Sequence, residues 1–186
     1  MDKTHFRKKY KALRNELSQD SLAELSLKIA NNALKLPIWG GLYYHVFLSI
    51  AEKKEVDTQF LLHILQGRDK SIVVSKANFE TMGMDHYLLQ EHTKLAVSSY
   101  GIPEPVEGLE VGAGQLDVVF IPLLAFDKKG HRIGYGKGFY DQFLSQCSPK
   151  AVFVGLSLFE AEETIPAAPH DIPLHYCVTP THSYQF

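Results

Sequence analysis

A segment rich in glycine and basic residues is the part of this chain best suited to chemistry. It reads DKKGHRIGYGKGFYD over 127–141, and two basic residues and three glycines fall within seven positions: Arg132, Gly134, Gly136, Lys137 and Gly138. Glycine lets backbone N–H groups approach a ligand, while Arg and Lys offer positive charge to phosphate oxygens. A helix starting between Gly136 and Phe139 would add free N–H groups and the positive end of its dipole. The segment therefore predicts a polyphosphate-binding site.

The common phosphate-binding motifs do not describe this segment. A P-loop requires a Gly-Lys-Ser/Thr run, whereas Phe139 follows Gly138 here. A dinucleotide fingerprint follows its strand directly, but about ten residues separate this segment from the strand that ends at Pro122. The alternative is a glycine turn with solvated charges, and the combination of three glycines with two basic residues favours the phosphate site. Asp141, one turn into the helix, suits either Mg²⁺ coordination or compensation of the helix dipole.

Helices that must position this segment are visible as apolar periodicity. We expect helices at 4–16, 20–36 and 56–67, and a further one carrying Phe139, Tyr140, Phe143, Leu144 and Cys147. A capping box of Ser21 and Glu24 is expected to begin the second helix, and Pro37 to end it. For the third helix, Asp57 or Thr58 is the expected cap, with Gly67 beyond its end.

Strands alternate with these helices along most of the chain. Apolar and β-branched runs predict strands at 42–49, 71–76, 117–122, 151–157 and, last, 175–180. The run at 117–122 suits a central parallel strand that is buried on both faces. Segments 86–90 and 94–99 are expected to pair with each other, and 101–115 to form a loop. The alternation predicts one α/β domain over 1–186, with three layers and a mainly parallel central sheet flanked by helices.

Composition limits the classes of partner. The 186 residues carry a formal net charge of -2, so no overall positive field draws the protein to nucleic acid. The two cysteines form no Cys-x-x-Cys pair, which argues against a zinc ribbon or a dithiol redox site. No apolar signal core or membrane-spanning run is present in the sequence. We expect a cytoplasmic monomer that binds neither nucleic acid nor membrane.

Residues 117–141 resemble the 5-formyltetrahydrofolate cyclo-ligase family, whose members are also called methenyltetrahydrofolate synthetases. The family's signature is an apolar strand, an Ala/Gly-Phe-Asp turn, and then Asn-Arg-x-Gly-x-Gly-Lys-Gly-Tyr-Tyr-Asp. Weaker similarity extends over nearly the whole chain. The resemblance implies a Rossmann-like fold shared with sugar-phosphate isomerases and CoA transferases. It also implies conversion of 5-formyltetrahydrofolate, with ATP as co-substrate and Mg²⁺, to 5,10-methenyltetrahydrofolate, ADP and phosphate.

The resemblance assigns nucleotide-binding roles to two parts of the chain. An N-terminal Lys-x-x-Leu-Arg element of the family contacts ATP. It matches either Lys3 and Arg7 or Lys11 and Arg14, of which we prefer the first pair. The implied ATP-binding residues are Lys3, Arg7, Arg132, Ile133, Gly134, Tyr135, Gly136, Lys137, Gly138, Phe139 and Tyr140. Among these, Lys137, Arg132 and Tyr140 are implied to be catalytic.

The resemblance also implies a folate site and a metal site. The implied folate-binding residues are Leu48, Glu55, Tyr100, Tyr135, Lys137 and Phe139. A carboxylate such as Glu55 suits an aminopyrimidine because it accepts two parallel N–H bonds. Phe139 stands where the family usually has Tyr, so a hydrogen bond from that hydroxyl is absent. Asp141 and Asp171 are the implied Mg²⁺ ligands.

Two other functions use the same sequence features. A different enzyme on the same scaffold is one, because a fold does not fix a function. A nucleic-acid-binding module that uses the basic N-terminal arm is the other. The acidic overall balance and the lack of a known nucleic-acid-binding motif count against that module.

Overall fold

A seven-stranded sheet organises the computed structural model, which describes residues 1–186. Its helices are α1 (Lys3–Asn15), α2 (Gln19–Ala33), α3 (Gln59–Gly67) and α4 (Phe139–Gln146). Its strands are β1 (Tyr43–His45), β2 (Ser71–Asn78), β3 (Gly83–Leu88), β4 (Leu95–Val97), β5 (Pro103–Pro105), β6 (Val118–Pro122), β7 (Ala125–Phe126), β8 (Arg132–Ile133), β9 (Val152–Leu156), β10 (Tyr176–Val178) and β11 (Ser183–Gln185).

The order across the sheet is β11-β10-β9-β6-β1-β2-β3. Every pairing from β10 to β2 is parallel, and only the edge strands β3 and β11 run antiparallel to their neighbours. Strands β4 and β5 form one separate ribbon, and β7 and β8 form another. The predicted mainly parallel α/β sheet is therefore confirmed.

Two apolar clusters on opposite faces of the sheet make the three layers. Along β6, Val118 and Phe120 pack in one cluster, whereas Val119 and Ile121 pack in the other. This division follows from the alternation of side chains along a strand. The first cluster takes its helical residues from α2 and α3, and the second takes Phe143 and Leu144 from α4. Strand β6, buried on both faces, is the central strand that its composition predicted.

Several local expectations were wrong, mostly at element ends. Helix α2 is capped by Ser18, whose side chain accepts from the backbone of Ser21, so the expected capping box at Ser21 lies inside the helix. The helix ends at Ala33, before Pro37. Gly67 is the last residue of α3 and does not lie beyond it. Only Tyr43–His45 of the predicted strand 42–49 forms β1, and Phe47 and Leu48 beyond it line a cavity.

The pairing around the second half of the chain also differs from expectation. Segment β3 pairs with β2, and β4 pairs with β5, so the two predicted partners do not pair with each other. Strand β5 lies within the segment predicted as loop. Its prolines, Pro103 and Pro105, are compatible with a strand because β5 belongs to a short ribbon outside the main sheet. Strand β10 is followed by β11, whose polar, half-exposed residues gave no apolar signal. None of the helices has the length and apolar character needed to cross a bilayer.

The sheet topology creates a crevice beside β1. The connection from β1 leads to β2 on one side, while β6 joins β1 on the other side. In open parallel sheets, ligands bind at the carboxyl ends of strands where the direction of winding reverses. His45 ends β1 and Pro122 ends β6, and both line the same cavity. The fold thus sets the position of a binding site.

Candidate active site

The cavity at this crevice has a volume of about 220 Å³. Its wall combines residues of α1, of the turn after β1, of the glycine-rich segment and of the C-terminal region. Every residue that the sequence assigned to ATP, folate or metal lines it, except Tyr100. The assigned lining residues are Lys3, Arg7, Leu48, Glu55, Arg132, Ile133, Gly134, Tyr135, Gly136, Lys137, Gly138, Phe139, Tyr140, Asp141 and Asp171. Segments far apart in the sequence therefore meet in one site.

The turn before the glycine-rich loop is fixed by a buried carboxylate, Asp127. Its side chain accepts hydrogen bonds from the backbone of Lys129 (2.9 Å), His131 (3.0 Å) and Ile165 (3.1 Å), and contacts Nδ1 of His131 at 3.0 Å. Burial acts to raise the pKa of Asp127, but these hydrogen bonds outweigh it and lower the pKa. The turn sets the start of β8, and hence the direction of Arg132 into the cavity.

The glycine loop ends at an open helix terminus. Gly136 and Gly138 have φ of 94° and 75°, in the region that favours glycine. Gly138 is the N-cap of α4 and provides no side-chain cap, so the first N–H groups of α4 remain available to a ligand. A Cβ at Gly136 would lie 2.9 Å from Cζ of Arg7. The glycine thus lets the Arg7 guanidinium lie against the loop, where Arg7 Nε donates to the carbonyl of Gly134 at 2.9 Å.

Four basic side chains surround the loop, and they differ in their partners. Arg132 Nη2 donates to Oδ1 of Asp141 at 2.7 Å, and its Nη1 donates to the carbonyl of Ile172. Lys3 forms an ion pair with Asp171. Lys137 has no carboxylate partner, and its Nζ lies 5.2 Å from the centre of the Tyr100 ring. Lys137 is therefore the cation of the loop that is most available to an anionic ligand.

The two carboxylates assigned to a metal face the same cavity. Asp141 Oδ1 also accepts from the backbone of Ile172 at 3.1 Å, and Asp171 Oδ2 accepts from the backbone of Ala168 at 2.8 Å. Burial acts to raise the pKa of Asp171, but the hydrogen bonds from Lys3 and Ala168 lower it. In each residue the other carboxylate oxygen receives no hydrogen bond from the protein. Two carboxylates that each keep one oxygen without a protein hydrogen bond, beside a phosphate-type loop, fit Mg²⁺, which takes one or two carboxylates together with phosphate oxygens and waters.

Glu55 forms the other end of the cavity. The residue is 4% exposed, and its carboxylate accepts from the backbone of Ile50 (2.8 Å) and from the hydroxyl of Tyr135 (2.9 Å). Burial raises the pKa of Glu55. Arg14, also buried, donates to the Tyr135 hydroxyl at 2.8 Å. An Arg–Tyr–Glu chain therefore holds the carboxylate in position at the cavity wall.

The hydrogen bonds of Arg14 help to choose between the two possible matches to the family's N-terminal Lys-x-x-Leu-Arg element. Arg14 donates to Tyr135 and to the carbonyl of Leu123, and it does not line the cavity. Lys3 and Arg7 both line the cavity on the face of α1 that meets the glycine loop. The geometry favours the pair Lys3 and Arg7 over the pair Lys11 and Arg14 as ligand contacts. Arg14 instead holds Tyr135 in the cavity wall by a hydrogen bond.

Tyr100 lies at the rim of the cavity. Its side chain is 55% exposed and stacks on Phe79, with ring centres 4.4 Å apart. Phe79 in turn meets Phe139 edge-on at 5.3 Å, and both of those rings line the cavity. Tyr100 is thus held by contact with Phe79, and its expected stacking on a ligand stays a prediction.

Sequence reasoning missed several lining residues, notably Lys53, Ser75, Phe79 and His45. Lys53 lies 4.3 Å above the Tyr135 ring, beside Glu55. His45 could have been found, because a polar residue that ends a buried parallel strand faces the ligand edge of a sheet. Phe79 and Ser75 required the register of β2 against its neighbours, which no local pattern provides.

The fold and the cavity together define a class of protein. It is an α/β protein with one cavity that is basic and glycine-lined at one end and partly apolar, with a buried carboxylate, at the other. A family model described as the 5-formyltetrahydrofolate cyclo-ligase family matches residues 1–180. The chain belongs to the 5-formyltetrahydrofolate cyclo-ligase family. The family recognised from the signature at 117–141 is thereby confirmed, and so is the predicted cyclo-ligase class at the level of the family.

Individual relatives agree with this assignment. The chain is 34% identical over 128 residues to 5-formyltetrahydrofolate cyclo-ligase of Haemophilus influenzae, covering 64% of this chain and 67% of that protein. The mouse protein of the same name is 33% identical over 109 residues, covering 55% of this chain and 53% of the relative. The NMR structure of Aquifex aeolicus 5,10-methenyltetrahydrofolate synthetase superimposes with a TM-score of 0.84 at 32% identity, covering 100% of this chain and 93% of that one.

Proposed function

We propose that this chain uses ATP and Mg²⁺ to close 5-formyltetrahydrofolate to 5,10-methenyltetrahydrofolate, releasing ADP and phosphate. The observation that carries the proposal is one cavity with two chemically different ends. Arg7, Arg132 and Lys137 surround a glycine loop at one end, and Glu55 and Leu48 lie at the other. An anionic triphosphate and a flat, amino-bearing heterocycle are the ligands that these two ends match.

The phosphate end supports transfer of a phosphoryl group. Such transfers need mainly positioning and stabilisation of negative charge, which the loop N–H groups and basic side chains supply. Lys3 and Arg7 lie on one face of α1 because they are four residues apart, so both can reach the same triphosphate. Asp141 and Asp171 would hold Mg²⁺, whose chemistry there is to neutralise and orient phosphate oxygens.

The other end supports recognition of the folate. Glu55 has two oxygens that can accept from the amino and ring N–H groups of a pterin. Leu48, Phe47 and Ile50 supply apolar wall beside it. The formyl oxygen of a folate held there would face the glycine loop, since both ends open into one cavity. We infer that the formyl oxygen is phosphorylated first and that nitrogen 10 then attacks the activated carbon as phosphate leaves.

We also propose that the protein is a cytoplasmic monomer that binds neither nucleic acid nor membrane. The cavity wall is complete within one chain, which supports a monomer. Cys147 and Cys177 are unpaired, and Cys177 is buried, which suits a reducing cytoplasm.

Direct assay tests the proposed reaction. The protein is mixed with 5-formyltetrahydrofolate, ATP and Mg²⁺, and the coloured methenyl product and ADP are followed together. We expect both products in a 1:1 ratio, and neither when ATP or Mg²⁺ is left out. Absence of ATP-dependent methenyl product at micromolar enzyme would refute the proposal.

Glu55→Gln is expected to weaken folate binding about 10- to 100-fold, the loss that follows when a hydrogen bond to a charged acceptor is removed. Gln keeps the size of the side chain and one acceptor oxygen, so the bond from Ile50 is retained. ATP affinity should change less than twofold, because Glu55 touches the glycine loop only at the Tyr135 hydroxyl and makes no hydrogen bond to Arg7, Arg132 or Lys137. Binding of each ligand is measured by calorimetry, with Glu52→Gln, an exposed neighbour, as control. A loss of ATP affinity with folate affinity intact would show that Glu55 belongs to the nucleotide end.

A further inference from the structure

A chain of three polar side chains crosses the sheet at the cavity. Nε2 of His45 lies 2.6 Å from Oγ of Ser75, and the same Oγ lies 2.6 Å from Nδ1 of His86. The three residues belong to the adjacent strands β1, β2 and β3, and Ser75 is directly opposite His86 in the β2–β3 pairing. Short bonds between groups on three neighbouring strands give a continuous hydrogen-bonded path.

The two histidines of this path are neutral. The His45 ring is fully buried and lies 4.8 Å from the Phe143 ring, which is also 4.3 Å from His86. Burial, aided by the proximity of His86, holds the pKa of His45 well below its usual value. Burial lowers the pKa of His86 to about 4, against the opposing effect of Asp85. Each ring therefore carries a single N–H proton and no positive charge near neutral pH.

The unpartnered nitrogen of His45 sets the direction of the hydrogen bonds. His45 Nδ1 is buried without any hydrogen-bond partner. A bare acceptor nitrogen is the less costly form there, because a buried N–H without an acceptor is the rarer and more expensive defect. The His45 proton then lies on Nε2 and is donated to Ser75. Since Ser75 has one proton, its hydroxyl donates to Nδ1 of His86, and His86 carries its own proton on Nε2.

The path connects two separate openings. Ser75 is half-buried and lines the main cavity, with His45 in the wall beside it. His86 lines a second depression, which also includes Asp85, Glu110 and Gln146. With His45 donating and His86 accepting, one lone pair of the Ser75 hydroxyl remains open to a donor in the cavity. The arrangement can take a proton from a ligand and release one elsewhere.

We propose that Ser75 is a catalytic residue that accepts the proton lost by nitrogen 10 of the folate and passes its own proton to His86, with His45 holding the hydroxyl in position. The inference rests on the proposed function, because ring closure must remove that proton. Nitrogen 10 of 5-formyltetrahydrofolate carries one hydrogen, and in the methenyl product it carries none.

The lone pair of nitrogen 10 forms the bond to the phosphorylated formyl carbon, and the N–H bond breaks with its electron pair staying on nitrogen. The proton goes to Ser75 Oγ as the hydroxyl proton moves to His86 Nδ1, and Nε2 of His86 then releases its proton to water in the second depression. The carbon–oxygen bond to phosphate breaks with both electrons going to the phosphate, which leaves the methenyl cation.

Single-turnover rates test the path. Enzyme in excess over 5-formyltetrahydrofolate is mixed with saturating Mg²⁺-ATP, and the methenyl product is followed by absorbance. Ser75→Ala should slow product formation about 10²-fold, the low end for loss of proton transfer, with folate affinity unchanged. Ser75→Thr, which keeps the hydroxyl and suits a strand, should stay within about threefold of the unmodified protein. A rate for Ser75→Ala within threefold would overturn the proposal.

His86 provides an independent measurement outside the cavity. His86→Asn keeps an acceptor for Ser75 but cannot pass a proton, so it should slow the same step about 10²-fold. Added imidazole should restore part of the rate by entering the second depression. His92→Asn, an exposed histidine, and Gln146→Ala, in the same depression, are controls expected to leave the rate unchanged. An unaffected His86→Asn rate would refute the exit path, whereas failure of the unmodified protein to form product would refute the proposed function instead.

Discussion

Lys137→Ala is expected to lower turnover by about 10²-fold or more, the usual cost of removing one donor that stabilises developing charge. Lys137 is exposed on the glycine loop and has no carboxylate partner, unlike Lys3 and Arg132. Its Nζ rests over the Phe79 and Tyr100 rings, a contact that a phosphate group in the cavity would outcompete. Its charge is therefore available for the transferring phosphoryl group.

The separate effects on kcat and KM distinguish stabilisation of the transition state by Lys137 from simple attraction of the nucleotide. A cation that acts on the transition state lowers kcat and kcat/KM together, whereas one that only attracts ATP raises KM with kcat unchanged. We expect the first pattern, with Lys137→Arg recovering part of the rate because its charge is kept. Lys150→Ala, an exposed lysine outside the cavity, is the matched control. Turnover of Lys137→Ala equal to that of Lys150→Ala would remove Lys137 from the catalytic site.

The parts of the fold predicted correctly are those whose signal is local. Residues 117–122 are continuous, apolar and β-branched, and they form β6 at the centre of the sheet. The glycine-rich segment leads directly into α4, which begins at Phe139 as its position in the sequence indicated. Both features depend on neighbouring residues, so a single segment contains the information. The edge strand β11 has no apolar pattern in its sequence. Its residues are held in the sheet by pairing with β10, which no local pattern indicates.

The residues of the candidate site also divide into those with a local sequence signal and those that only the tertiary structure brings together. Arg132, Lys137 and Asp141 lie within one segment and could be inferred from residue types alone. Lys3 and Asp171 meet although 168 positions separate them, so only the resemblance to a family could bring them together. His45, Ser75 and His86 lie on three strands, and their contact depends on sheet register. A one-residue shift of β2 would turn Ser75 to the other face, and no pattern in the sequence fixes that register.

Arg132→Ala is expected to reduce both stability and activity strongly, and the two losses should be separable. The guanidinium is 7% exposed and donates to Asp141 and to the carbonyl of Ile172. Its removal leaves the partly buried carboxylate of Asp141 without its cation and the carbonyl of Ile172 without the guanidinium donor, which should lower the free energy of unfolding by about 2 to 3 kcal/mol. Urea unfolding at constant m-value measures this change. Turnover should fall about 10³-fold, because the positive charge beside the glycine loop is lost as well.

Adding Asp141→Ala to Arg132→Ala separates the structural effect from the chemical one. The second substitution removes the uncompensated charge, so the double variant should regain at least about 1 kcal/mol of the lost stability, a coupling typical of contacting pairs. Turnover should stay low, because neither the cation nor the carboxylate assigned to Mg²⁺ is restored. Recovery of turnover together with stability would mean that Arg132 acts only by holding Asp141 and the loop in place. Stability recovered without turnover would show that the reaction needs Arg132, Asp141 or both for more than holding the loop in place.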